Sequence, residues 1–448
     1  MLVTPPSVHR VERPLDTNEW FFAVYNDLGA YLTALAAVVE GPLSEPLLRW
    51  AMEHVQERHP MLRARIEGGL LAPRWVTPPT APVDLTVLDS KEALSLERIT
   101  EAELHRPYDP ARAPMWRCTF VRGRGDGPHQ LVLGVHHSVA DGLSGLNIFT
   151  DLLSACAALH DGRRLPPRLP VGATLDSTLG SPTVFERVRI KLRHARSRLA
   201  GPPPAPPPLE ALAPPEERRT RVLFRSLPAE LVAALGARAR EERSTFTGAF
   251  SAALLEAVQA RIGPLDRVTL NYAISLRGER IPAEQVGSFA GSVSTTHPLR
   301  GDRSFWSVAR RASRSLRAGV EGGAALDVVR VNRGHVSEAI EELRRIQLDP
   351  RCAGREGFLA LSSRGTWPDP SAGSFRVRAL YPATANHGLG NHFQMSCGIV
   401  GRTLYSSIMF VEPLHSEATG RAIVDGFQAC LEREAAPPAA GPRVKATT

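Results

Sequence analysis

Lysine is nearly missing from this 448-residue chain: Lys91, Lys191 and Lys445 are the only lysines among 54 basic residues, and the rest are arginine. Aromatic residues make up only 6% of the chain. That is too few to interleave with basic side chains as a single-stranded nucleic-acid surface does. Cysteine is scarce as well, with Cys118, Cys156, Cys352, Cys397 and Cys430 scattered without a CxxC pair. An odd, sparse count excludes a disulfide framework. The expected state is five reduced thiols, most of them small buried apolar residues. No run approaches the roughly 18 uninterrupted apolar residues that a membrane-spanning helix needs. Met1 to Pro14 carries polar residues and prolines where a secretory leader has an apolar core. The expectation is a cytoplasmic, non-membrane protein.

What is present is ordinary for a globular protein: 43% hydrophobic and 22% charged residues. The formal charge is +8. A positive protein attracts phosphate-bearing partners. Coenzyme A, acyl-carrier phosphopantetheine and nucleic acid all qualify, so charge alone does not choose. One segment breaks the chain: residues 201–217 read GPPPAPPPLEALAPPEE, which holds neither a helix nor a central strand. It is expected to be an extended crossover between an N-terminal unit, residues 1–200, and a C-terminal unit, residues 218–434. Residues 435–448 are expected to be a disordered tail.

Each unit mixes strands and helices, so the expected class is α/β with two lobes. Ser44 caps a predicted helix to about Arg58, with Leu48, Met52 and Val55 on one face. Lys91–His105 has a similar pattern. Leu131–Val135 reads as a strand, followed by a polar turn and a helix over Leu143–Leu159. In the second unit, Phe246, Phe250, Leu254 and Val258 mark a buried helix face. Val268–Leu276 alternates with period two, as a strand with one apolar face does, and Thr403–Phe410 reads as another strand.

The turn after Leu131–Val135 holds the chemistry: His136, His137, Asp141 and Gly142 in the run HHSVADG. Neutral imidazole takes and returns a proton near pH 7. Adjacent side chains at a strand end point to opposite faces, so at most one histidine meets a given cleft. Parity does not say which. Asp141 stands where a helix N-cap belongs, and it is also placed to orient a histidine or to pair with an arginine. Gly142 permits close approach. No third ligand accompanies the histidines, so no metal site is expected.

HHSVADG fits the HHxxxDG motif, and this resembles the acyltransferase superfamily of chloramphenicol acetyltransferase, carnitine acyltransferases, condensation domains, wax ester synthases and polyketide-associated acyltransferases. Further segments resemble family elements in family order: RHPMLRARI (Arg58–Ile66), RPYDPARAPMWR (Arg106–Arg117), VGSFAGSVST (Val286–Thr295) and LSSRG (Leu361–Gly365). The resemblance implies two chloramphenicol-acetyltransferase-like lobes with an active-site tunnel at their interface. It implies that His137 is the general base and that Asp141 points away from substrate to pair with a second-lobe arginine, for which Arg277 is the candidate. His136 and Gly142 then support the site. Neither a DFGWG motif nor an RDxSRNP-type motif is found.

The expected activity is therefore transfer of an acyl group from a thioester to an alcohol. The donor is acyl-CoA or an acyl-carrier protein's phosphopantetheine thioester, a co-substrate rather than a bound cofactor. There is no GxSxG elbow, so no covalent enzyme intermediate is expected. Ser292, Thr295 and Ser363 are candidate hydroxyls for the oxyanion. The alternatives are a condensation-type amide former, a wax ester or diacylglycerol acyltransferase-like enzyme, and a non-catalytic carrier-protein-binding relative. Val184–Leu199, a basic helix, is a candidate surface for an acidic carrier protein or a phospholipid membrane.

Overall fold

A computed structural model describes residues 10–69, 72–89, 95–125, 127–180, 183–199, 204, 207–263, 265–299, 304–332 and 336–436. The first half contains β1 (Glu12–Pro14), α1 (Thr17–Asp27), β2 (Thr33–Glu40), α2 (Glu45–Arg58), β3 (Arg65–Glu67), β4 (Arg74–Val76) and β5 (Leu85–Asp89). It continues with α3 (Leu96–Leu104), β6 (Trp116–Arg122), β7 (His129–Val135), α4 (Gly142–His160), α5 (Leu175–Leu179) and α6 (Val184–Leu199). The second half contains β8 (Arg219–Leu227), α7 (Ala229–Glu241), α8 (Phe246–Ile262), β9 (Arg267–Ser275), β10 (Ala290–Pro298), α9 (Phe305–Glu321), α10 (Ala324–Asn332) and α11 (Val336–Leu348). It ends with β11 (Arg355–Trp367), β12 (Arg376–Thr384), β13 (Gly390–Val400), β14 (Thr403–Glu412) and α12 (Glu417–Ala435).

Two sheets organise the lobes. The first runs β12-β2-β7-β6-β5 and the second β10-β9-β11-β13-β14-β8. β7 lies in the middle of its sheet, antiparallel to both β2 and β6. Its two faces enter different cores. Leu131, Leu133 and Val135 pack with α2 and α4 through Leu48, Met52, Phe149 and Leu153. Val132 joins a second core with Val222, Phe224 and Met409 from β8 and β14. A strand buried on both sides reads as an apolar run, which is why Leu131–Val135 shows no clean alternation.

The helix Gly142–His160 is long and apolar enough to cross a membrane by length and composition, but more than half of it is buried inside the protein. Its apolarity serves the core between the first sheet and α2.

Three expectations need correction. The division at residues 201–217 does not yield two self-contained units, because β12, far into the second half, pairs antiparallel with β2 in the first sheet. The helix expected from Lys91 begins only at Leu96, where the Ser95 side chain accepts from Arg98 N, and His105 is its C-cap; residues 90–94 lie outside the described residues. The tail boundary at 435 falls inside α12's last residue, and residues 437–448 lie outside the described residues.

The basic helix does form as α6. Ile190 is buried, Glu186 pairs with Arg330 at 2.7 Å, and Arg189 pairs with Asp327 at 3.1 Å on α10. Val184, Phe185, Val188 and Leu192 are exposed.

Candidate active site

β7 delivers the motif to the seam between the lobes. The strand ends at Val135, where His136 N donates to Met115 O (3.0 Å), and Val139 N and Ala140 N then close a turn on His136 O. Both histidines therefore sit in the turn rather than on the strand. The turn docks on the opposite lobe: Asp141 N donates to Gly287 O at 2.9 Å, and Ser144 Oγ donates to the same carbonyl at 2.9 Å.

The two rings part company there. His136 is buried in the first lobe, 2.7 Å from Ser138 Oγ and edge-on to Tyr108. Burial first, then His137 and Arg117, push its pKa down to about 3. His137 instead lines a cavity of about 170 Å³ at the lobe seam, together with Phe22, Tyr31, Ser292, Ser362 and Arg364. Its ring stacks on Phe22 with centroids 3.8 Å apart, and its backbone N–H donates to Asn26 Oδ1 at 3.2 Å. Burial lowers the His137 pKa to about 4, against the raising pull of Asp141 and its own backbone carbonyl, and Arg364 lowers it further. The imidazole is thus neutral across the ordinary pH range and free to accept a proton. Nδ1 is buried without a hydrogen-bond partner among the described residues, which leaves Nε2 as the atom available to chemistry.

Asp141 does two jobs at once. As the N-cap of α4 its Oδ1 accepts from Ser144 N at 2.8 Å. The same oxygen lies 3.2 Å from Arg277 Nη2, and Oδ2 accepts from Phe289 N at 3.2 Å. Arg277 Nη2 also donates to Ser144 Oγ (2.7 Å) and Gln285 O (3.2 Å), and the guanidinium sits over the Phe289 ring. Both side chains of the pair are about 95% buried. The carboxylate therefore faces the arginine and two backbone amides, and ties the lobes through the segment Val286–Thr295.

The candidate hydroxyls separate. Ser292 lines the cavity. Thr295 does not: its Oγ1 lies 2.7 Å from His297 Nε2. Ser363 does not either, because it alternates away toward Cys397, and its neighbour Ser362 takes the cavity position. Parity along β11 decides this, and a motif match gives no parity. The cavity wall also includes Phe22 and Tyr31, which the sequence reading passed over. The aromatic run around them (WFFAVYNDLGAY, Trp20–Tyr31) was the available signal in a chain so poor in aromatics. Among the described residues no cluster of His, Cys, Asp or Glu is arranged to hold a metal ion.

Known proteins resemble this arrangement. Residues 17–170 match the condensation-domain family model. The phosphinothricin tripeptide synthetase of Streptomyces viridochromogenes is 32% identical over 209 residues, 43% of this chain and 19% of that protein. A putative diacylglycerol O-acyltransferase of Mycobacterium tuberculosis is 32% identical over 130 residues, 27% of this chain and 24% of that protein. The chain thus spans a minor part of either relative. The first condensation domain of the calcium-dependent antibiotic synthetase, solved with a substrate analogue, superposes with a TM-score of 0.73 at 18% identity, covering 96% of this chain and 97% of that one. That likeness establishes the two-lobed fold of condensation domains.

Proposed function

We propose that this chain, whose residues 17–170 belong to the condensation-domain family and whose two lobes share that family's fold, moves an acyl group from a thioester to an alcohol. The observation that carries the reading is the buried His137 ring on the wall of the cavity between the lobes. An acyl thioester, on coenzyme A or a carrier protein, enters the cavity with its carbonyl carbon beside an acceptor hydroxyl. His137 Nε2 takes the hydroxyl proton as the oxygen attacks. A C–O bond forms, the C–S bond breaks, and the histidine returns the proton to the departing thiolate. Ser292 and Ser362 hydroxyls line the space where the tetrahedral oxyanion forms. Asp141 holds the turn rather than the proton, because its oxygens are taken by Arg277 and two amides.

A partly open space near 170 Å³ is close in size to one that holds a benzene ring, about 150 Å³. It accommodates the reacting ends, while longer substrate arms extend through its mouths.

The match to the condensation-domain family favours a second reading, in which an amine replaces the alcohol and an amide is the product. The base and the leaving thiolate are the same in both. Thiol release from one acyl-CoA, measured against a matched panel of alcohols and amines, separates them. Ester formation with alcohols and none with amines supports the first reading, and the reverse supports the second. Transfer to neither from coenzyme A or from a loaded carrier protein removes both.

A further inference from the structure

The cavity contains a cation that the acyl-transfer chemistry does not consume. β11 pairs with β13 in step to Ser363 opposite Cys397, then resumes at Thr366 opposite Ile399. The skipped residues are Arg364 and Gly365, and Gly365 has φ +65°. Arg364 keeps the parity of Ser362, and both line the His137 cavity.

The guanidinium lies directly over Gly142. A Cβ at that glycine would fall 1.6 Å from Arg364 Nη2 and 1.9 Å from Nη1. The glycine of the motif has an ordinary helical backbone, so in this chain its missing side chain serves to admit Arg364.

Other arginines near the seam find acceptors: Arg277 Nη2 reaches Asp141, Ser144 and Gln285, although its Nε and Nη1 have no hydrogen-bond partner among the described residues, and Arg355 donates to the carbonyls of Asn386, His387 and Asn391. Arg364 makes no hydrogen bond or ion pair among the described residues; its nearest recorded partner is the Trp367 ring, 6.0 Å away. Asp141 is near enough to favour its charge, but that carboxylate is already engaged. Arginine stays protonated even when burial opposes it. A permanent, unpaired fork of donors on the wall of a partly open cavity beside His137 suits an anion.

The anion's origin follows from distance. In coenzyme A and phosphopantetheine the nearest phosphate is separated from the sulfur by the whole pantetheine arm, so it stays outside a cavity of this size. An anion at Arg364 therefore sits on a reacting partner. We propose that Arg364 is the specificity residue for the acceptor, and that the acceptor is a hydroxy acid whose carboxylate docks on the guanidinium while its hydroxyl reaches His137. This rests on the acyl-transfer reading.

The test uses the full chain, one acyl-CoA and a panel of 2- and 3-hydroxycarboxylates beside their methyl esters. The wild type is expected to favour the acid over its ester by about a hundredfold in kcat/KM, the scale of a hydrogen bond to a charged group made or lost in a site built for it. In Arg364→Gln the ratio is expected to collapse toward one, chiefly through KM. Arg364→Lys keeps the charge without the fork, so it is expected to fall between. Gly142→Ala displaces the guanidinium and should also lower the ratio. An acid-to-ester ratio unchanged by Arg364→Gln overturns the proposal. So does an equal loss on acids and esters, which would assign Arg364 to the oxyanion. Should the wild type transfer to no alcohol, the alcohol-acylation reading on which the proposal rests fails by itself. Titration calorimetry of the same hydroxycarboxylates into wild type and Arg364→Gln then decides the binding claim, which a matched affinity in the two would end.

Discussion

Replacing Arg277 by alanine tests the central geometry most directly. The substitution removes the guanidinium from Asp141, from Ser144 Oγ and from Gln285 O, in a site where both charged side chains are about 95% buried. Breaking a buried ion pair from one side costs about 3–5 kcal/mol, because the other charge is left uncompensated. Asp141 keeps two backbone N–H donors, from Ser144 and Phe289, so the lower end, about 3 kcal/mol, is expected. Asp141→Ala strands the guanidinium and also removes a helix cap worth about 1 kcal/mol. Asp141→Asn preserves the cap and is expected to be milder. The double variant Asp141→Ala/Arg277→Ala should cost less than the two singles together by about 2 kcal/mol. Denaturant unfolding followed by the fluorescence of the six tryptophans measures all four. Because the pair joins the motif turn to the second lobe, kcat/KM should fall in the same order. A cost below about 1 kcal/mol for Arg277→Ala, or strict additivity in the double variant, refutes the reasoning.

Three further outcomes are expected. His137→Ala should lose about 10²–10⁴-fold in kcat with its melting temperature little changed, and retained activity would dismiss the base. A base with pKa held down to about 4 is unprotonated above that value, so kcat/KM should stay level as pH falls through about 6.5 and drop only near 4; an inflection at 6.5 would contradict the burial argument. Stability should behave differently: His105, His136, His137, His297, His387 and His415 are held at about 3 to 4 by burial. Once unfolded they bind protons below about 6.5, so the stability they allow is complete above that pH and is lost from there down to about 4, near 1.4 kcal/mol per histidine and pH unit. Asp16 and Glu103, whose carboxyls burial pushes up to about 8 and about 7, oppose this, but they are two against six. Denaturant midpoints between about pH 7 and 5 measure the net loss, and a flat profile would contradict it.

The strand–turn–helix around the motif was legible because every signal in it is local. Val132 and Leu133 mark a strand, Asp141 caps, and Leu146, Phe149 and Leu153 give the helix its buried face. The expected partner for Asp141 came from the family resemblance and from Arg277's place at the end of the Val268–Leu276 strand rather than from local spacing, since 136 residues separate the two. Two features escaped because they are set by tertiary contact. Nothing in RVRALYPAT tells β12 that its neighbour is β2 rather than a strand of its own half. Nothing in LSSRG says which parity of β11 meets the seam, and that parity puts Ser362 and Arg364, not Ser363, on the side of the histidine.

The passage of β12 into the other half's sheet gives the molecule a donated arm. A fragment ending near residue 200 would present the bare edge of β2, and unpaired edges recruit whatever strand is available. Two intact chains that opened together can satisfy both edges by exchanging arms, which makes a swapped dimer the natural product of partial unfolding at high concentration.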